Sequence, residues 1–121
     1  MNDLGLLILR VFSGGMMLTH GLPKFQDYAA KSQVFPDPIG LGSAISLQLA
    51  IFSELVCAAF LTIGLFSRLS LVPLIITMAV AAFIVHGADP FQKKELALLY
   101  LGCYLALFAT GPGKYSIQSM F

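Results

Sequence analysis

Apolar residues fill four stretches of this chain, about Leu4–Leu22, Ser43–Phe66, Leu69–Val85 and Glu95–Thr110, with polar residues gathered between them. A membrane-crossing helix needs about 20 mostly apolar residues, within a range of about 17–25. Each stretch meets or approaches that length. In a bilayer core every backbone polar group must find its partner within the chain, which leaves helices or a closed barrel. Long apolar runs without period-2 alternation choose the helix. The pattern predicts an all-α membrane protein, a four-transmembrane-helix bundle in one domain over residues 1–121.

The connections differ in character. Ser67 and Arg68 alone separate the second and third runs, which implies a tight antiparallel hairpin. His86 to Glu95 reads as a loop in which Asp89-Pro90 starts a turn or helix. The segment from Pro23 to Gly42 carries Phe25, Tyr28, Phe35, Pro36 and Pro38. It is too aromatic for a solvated linker and too polar to span. It predicts a short helix near Pro23–Lys31, then an extended Phe35–Ile39 piece partly embedded in the bundle mouth.

Within the first run, Arg10, Ser13, Met17, His20 and Lys24 recur at intervals of three and four and so share one helical face. Gly14 and Gly21 lie beside that stripe, where a missing side chain lets another helix approach closely. Glu54 interrupts the second run as Arg10 interrupts the first. An ionised group near the centre of a bilayer costs about 2.5–3.5 kcal/mol or more unless it is paired or hydrated. Counting about 15 Å down each helix at 1.5 Å per residue puts Arg10 and Glu54 at one level, so the expectation is a buried Arg10–Glu54 pair. The same count gathers His20, Lys24, His86 and Glu95 at one mouth beneath the first loop.

These residues carry bland readings too. A buried ion pair is weak evidence for stability, since desolvation offsets most of its attraction, so a functional or orienting role is favoured for Arg10 and Glu54. His20, Lys24 and His86 suit helix-end snorkelling as well as a site. Tyr100 and Tyr104 share a face, for which core packing outweighs ligand contact. Cys57 and Cys103 read as small buried apolar groups. With no ligand spacing along a single helix, no metal site is expected.

Composition agrees with the pattern. The chain is 58% hydrophobic and 11% charged, against about 45–50% and about 25% in soluble domains. A net charge of +1 argues against a nucleic-acid partner. Met1-Asn-Asp lacks a basic n-region and no small-residue cleavage site follows, so the first run reads as a retained span. Lys24, Lys31, Lys93 and Lys94 lie toward the first and third loops, and Arg68 and Lys114 toward the other side. That count leans toward cytoplasmic first and third loops without fixing the orientation.

Leu6–Arg10, Thr19–Lys24, Glu54 followed by Leu65–Arg68, His86, Glu95–Leu99 and Gly111–Ser116 together resemble the DoxX family of small integral membrane proteins, in order and along nearly the whole chain. The resemblance implies a four-helix, multi-pass protein of the bacterial inner (plasma) membrane. It also implies association with oxidoreductase systems, including thiosulfate:quinone oxidoreduction and thiol- or quinone-stress defence. The family pattern tends to close on Ser, a hydrophobic residue and Asp, whereas this chain reads Ser116-Ile-Gln118.

Taken together, the candidates for ligand binding or proton handling are Arg10, His20, Lys24, Glu54, His86, Glu95 and Tyr100. Gly14, Gly21, Arg68, Gly111 and Gly113 are expected to serve structure or topology. The expected function is a subunit or accessory of a quinone- or thiol-linked membrane oxidoreductase. The alternative is a non-catalytic binding, transport or scaffold module. No flavin, haem, iron–sulfur or dithiol motif is encoded, so electrons would enter from a partner subunit. A quinone is the ligand class the stripe and its aromatic surroundings suit, beside membrane lipids and a second copy of the chain as partners.

Overall fold

The structure is a computed structural model that describes residues 2–37, 40–85 and 87–118. It is helical throughout, without strands among the described residues. Helix α1 spans Asn2–Gln26, α2 Tyr28–Lys31, α3 Ser43–Ile63, α4 Ser67–Val85 and α5 Phe91–Thr110. The described residues thus form four long helices and one short one.

Three of the long helices, α1, α3 and α4, are long and apolar enough to cross a membrane. The fourth, α5, has 20 residues but opens on Gln92, Lys93, Lys94 and Glu95. Its apolar part from Leu96 onward is roughly 22 Å long at 1.5 Å per residue, short of the ~30 Å hydrocarbon core.

Each long helix turns one face inward and leaves large apolar side chains outside. Met17, Leu61, Leu71, Leu74, Tyr104 and Leu107 form the centre of the core. Phe12, Phe52, Leu69, Ile76, Phe83 and Leu99 stand exposed around it. An apolar shell of this extent on all sides is what lipid contact requires and water disfavours.

Boundaries depart from the sequence reading in ways that matter below. Helix α1 runs past Leu22 to Gln26 with Pro23 inside it, and the Asp27 amide still donates to the Pro23 oxygen at 2.9 Å, so the donor that proline lacks does not end the helix. The predicted Pro23–Lys31 helix is therefore the last turn of α1 followed by α2. The hairpin between the second and third spans is made by Gly64, Leu65 and Phe66, and Ser67 and Arg68 open α4. Gly64 has φ 76°, a left-handed value that costs an L side chain strain, and a Cβ there would also strike Ser116. The described part of the predicted embedded loop, Phe35 to Asp37, folds against the bundle. Asp37 accepts from the Leu41 and Gly42 amides, both at 2.9 Å, and from the Ser46 hydroxyl at 3.1 Å. These bonds tie the loop to the start of α3. Pro38 and Ile39 lie outside the described residues.

Two wide π turns interrupt the α geometry, Phe52–Cys57 in α3 and Ala81–Val85 in α4. Such turns trade regular hydrogen bonding for a re-aimed side chain and recur at functional sites. The first contains Glu54.

Candidate functional site

Two polar centres occupy opposite ends of the bundle. At the end where the first turns of α1 meet the segment after α5, Arg10 is 2% exposed. Its guanidinium donates to three backbone oxygens: Nε to Thr62 at 3.2 Å, Nη1 to Pro112 at 2.6 Å and Nη2 to Tyr115 at 2.6 Å. The planar fork of arginine suits this task, since one cation engages three acceptors in fixed directions. The segment after α5 is thereby drawn under the α3–α4 hairpin. Ile117 donates its amide to Ile63 at 3.2 Å and Gln118 to Gly64 at 2.9 Å. The Gln118 side-chain oxygen accepts from the Ser67 amide at 3.0 Å, capping α4. Here the departure from a terminal Asp has a physical reading: an amide oxygen accepts from that first-turn amide as a carboxylate would. Arg68 caps α5 in turn, its Nε donating to the Phe108 oxygen at 3.0 Å. Gly111 ends α5, and Gly113 lies against Leu6.

The expected Arg10–Glu54 pair is absent, and helix register is the cause. Arg10 bonds to Thr62, eight residues and so roughly 12 Å beyond Glu54 along α3. The sequence count assumed that α1 ends and α3 begins at one level. Instead the first turns of α3 rise past α1 beside α2, where Gln48 donates to the Tyr28 hydroxyl at 2.7 Å. That offset brings Lys24 level with Glu54.

At this other end, the Lys24 ammonium lies 2.7 Å from Glu54 Oε1, with the side chains 21% and 6% exposed. Lys24 also donates to the His20 oxygen at 3.2 Å. Close helix approach makes the pair possible: a Cβ on Gly21 would lie 2.7 Å from both the Glu54 carbonyl carbon and its oxygen. Gly14 allows the same approach lower down, against Ala58 and Thr62. His20 meets the Tyr100 ring edge to face at 5.8 Å, and Tyr100 stacks on Tyr104 at 5.9 Å. The Tyr104 hydroxyl donates to the Ser13 oxygen at 2.9 Å, which identifies it as a packed core group.

Two open cavities meet at the ion pair. A cleft of about 360 Å³ lies between α3 and α4, with Phe35 and Pro36 of the first loop on its rim. A smaller cavity of about 230 Å³ is bounded by Met17, His20, Met78, Ala97 and Tyr100. Both include Lys24 and Glu54 in their walls. The larger of these two spaces thus lies between the second and third spans, and the smaller one carries the His20 and Tyr100 side chains.

Of the sequence candidates, His20, Lys24, Glu54 and Tyr100 come together here. Arg10 belongs to the opposite end, Glu95 stands exposed and lines neither cavity, and His86 lies outside the described residues. No group of three or more His, Cys, Asp or Glu suited to a metal ion occurs among the described residues. Cys57 and Cys103 are free thiols. Sequence reasoning missed Asp37 and Gln118. Asp37 stands in a Pro-Asp-Pro segment ahead of Gly42 and Ser43, a recognisable helix-start signal. Gln118 gives no comparable signal.

Replacing Lys24 by Met and Glu54 by Gln, singly and together, is expected to give a coupling energy of about 1–3 kcal/mol in detergent unfolding. Lys24→Met should cost more than Glu54→Gln, because the carboxylate is the deeper partner. Additive single effects would show that the pair is not coupled.

Comparison with known proteins finds relatives of this chain. The chain is 32% identical over 127 residues to an uncharacterized protein of Haemophilus influenzae, covering 98% of this chain and 84% of the relative. It is 32% identical over 108 residues to a Bacillus subtilis protein named "Putative oxidoreductase CatD", covering 87% and 79%. No solved structure matches it. The DoxX family matches residues 5–87, and with apolar helices of membrane-crossing length carrying that match, the chain is a membrane protein belonging to the DoxX family.

Proposed function

We propose that the protein binds a lipophilic small molecule with a hydrogen-bonding head, of the quinone class, as a subunit or accessory of an oxidoreductase in the bacterial plasma membrane. The observation that carries this reading is the ion pair Lys24–Glu54 at the meeting of an apolar cleft and a more polar cavity. Phe35, Leu49, Ile76 and Val80 offer burial for a flat ring and its tail, at roughly 25 cal/mol per Å² of apolar area removed from water. Lys24 supplies a donor for a carbonyl oxygen. Glu54 supplies an acceptor that holds a proton beside it. Electrons enter from a partner subunit. The name carried by the Bacillus subtilis relative supports the redox context.

Mass spectrometry of small molecules extracted from the purified protein tests this reading. A quinone is expected with the wild type and with Lys31→Gln, at the end of α2 and in the wall of neither cavity. It is expected to be lost or depleted with Glu54→Gln. Protein that retains and binds no quinone, and captures no dehydrogenase, would favour the scaffold reading.

The proposal includes four crossings, with α5 as the short fourth. In a background without Cys57 and Cys103, cysteines at Ser32 and Ala88 should react with an impermeant thiol reagent from one face of the membrane, and one at Gln118 from the other. Labelling of Ser32 and Gln118 from the same face would mean an odd number of crossings.

A further inference from the structure

The cleft and the smaller cavity share four wall residues, Lys24, Glu54, Met78 and Ala81. Beyond that common wall they differ in chemistry. The cleft is faced by Leu49, Ile76 and Val80, and its other hydroxyls are already committed. Thr77 donates to the Pro73 oxygen at 2.7 Å and Ser46 to Asp37 at 3.1 Å. The smaller cavity adds the His20 imidazole and the Tyr100 phenol.

They also differ in the helices that frame them. The cleft is framed by α3 and α4, the cavity by α1 and α5 with Met78 and Ala81 of α4 behind. Helices α1, α3, α4 and α5 pack in that order around the core, with α5 closing on α1, so the α3–α4 and α1–α5 gaps lie on opposite sides. Glu54, on its π turn, stands between them with its side chain 6% exposed.

We propose that Glu54 is one carboxylate shared by two separately entered compartments. The apolar compartment takes the lipophilic ligand, and the polar one admits water past His20. Protons then reach the ligand by a path its own entrance does not supply. A proton passes from water in the polar cavity to the Glu54 carboxylate, and from the carboxyl O–H to an oxygen of the ligand, whose electrons come from the partner oxidoreductase. Lys24 holds the carboxylate in place between transfers. The identity of the apolar occupant rests on the function proposed above, whereas the two entrances do not.

The test uses two carbodiimides on the purified full chain, one apolar (dicyclohexylcarbodiimide) and one cationic and water-soluble. Each bonds its central carbon to a protonated carboxyl oxygen, and the carboxyl proton moves to a carbodiimide nitrogen. The adduct then rearranges to an N-acylurea, or the Lys24 amine displaces a urea to leave a Lys24–Glu54 amide. Mass spectrometry of the Glu54 peptide counts both products, with Glu54→Gln as the blank. Both reagents are expected to modify the wild type. Val80→Phe should lose the product of the apolar reagent and keep that of the water-soluble one, and Ala97→Phe should do the reverse. Where a phenylalanine variant loses both, Val80→Ala or Ala97→Gly decides, since each should raise the product of its own compartment alone. No product from the water-soluble reagent in the wild type, or a parallel response of both products in the small-residue variants, would overturn the proposal. Crosswise labelling in a protein that binds no quinone would sink the redox reading and leave the two compartments standing.

Discussion

Arg10→Met is expected to free the segment after α5 and to destabilise the protein by several kcal/mol. Three backbone oxygens, of Thr62, Pro112 and Tyr115, lose their donor together. Hydrogen bonds to a charged group contribute about 1.5–3 kcal/mol each, and a buried acceptor left bare costs about 1–3 kcal/mol. The terms overlap, so they do not simply add. Arg10→Lys should recover little, because an ammonium is a point charge and does not span three acceptors held by a fork. Thermal unfolding in detergent gives the size of the loss. Limited proteolysis gives its location, with cleavage near Lys114 appearing in the variant before the helices open. An Arg10→Met protein with unchanged melting and a protected tail would show that the guanidinium does not hold the bundle end.

Gly21→Val is expected to be the most damaging change at the other end. Its Cβ would fall 2.7 Å from Glu54 backbone atoms, and backbone yields less readily than a side chain. Helices α1 and α3 must separate, at a cost of about 1–3 kcal/mol for overpacking, and the Lys24–Glu54 contact must lengthen with them. Gly15→Ala supplies the contrast. Nothing lies within 4 Å of its added methyl group, and alanine is the better helix former by about 1 kcal/mol. Unfolding midpoints and quinone retention should fall together for Gly21→Val, with neither falling for Gly15→Ala. Equal behaviour of the two variants would remove close helix approach as the reason for Gly21.

The helices were legible in the sequence because a bilayer leaves so few alternatives to them. The face of α1 was legible too, since the three-and-four spacing of Arg10, Ser13, Met17, His20 and Lys24 depends on local geometry alone. Arg10, Ser13 and Met17 are buried, with His20 and Lys24 half-buried behind them. What failed was the match between helices. Pairing Arg10 with Glu54 required the axial offset of α1 against α3, which is set by the continuation of α1 through Pro23 and by Asp37 and Tyr28 holding α3 high. Neither is a property of the spans themselves. The anchoring of Arg10 on carbonyl oxygens was likewise invisible, because backbone acceptors leave no mark in a sequence. The apolar cleft followed from no residue pattern, since its walls read as ordinary span residues.

The bonds from Arg10 to Pro112 and Tyr115 join positions 102 and 105 residues apart. During synthesis the arginine enters the membrane long before its partners exist. Until residues 112–115 emerge from the ribosome, the guanidinium has at most the Thr62 oxygen as a partner, at a cost that favours keeping the first helix near water or a translocation partner. A chain cut between Thr110 and Pro112 keeps its membrane-length helices and loses two of the three acceptors that settle Arg10.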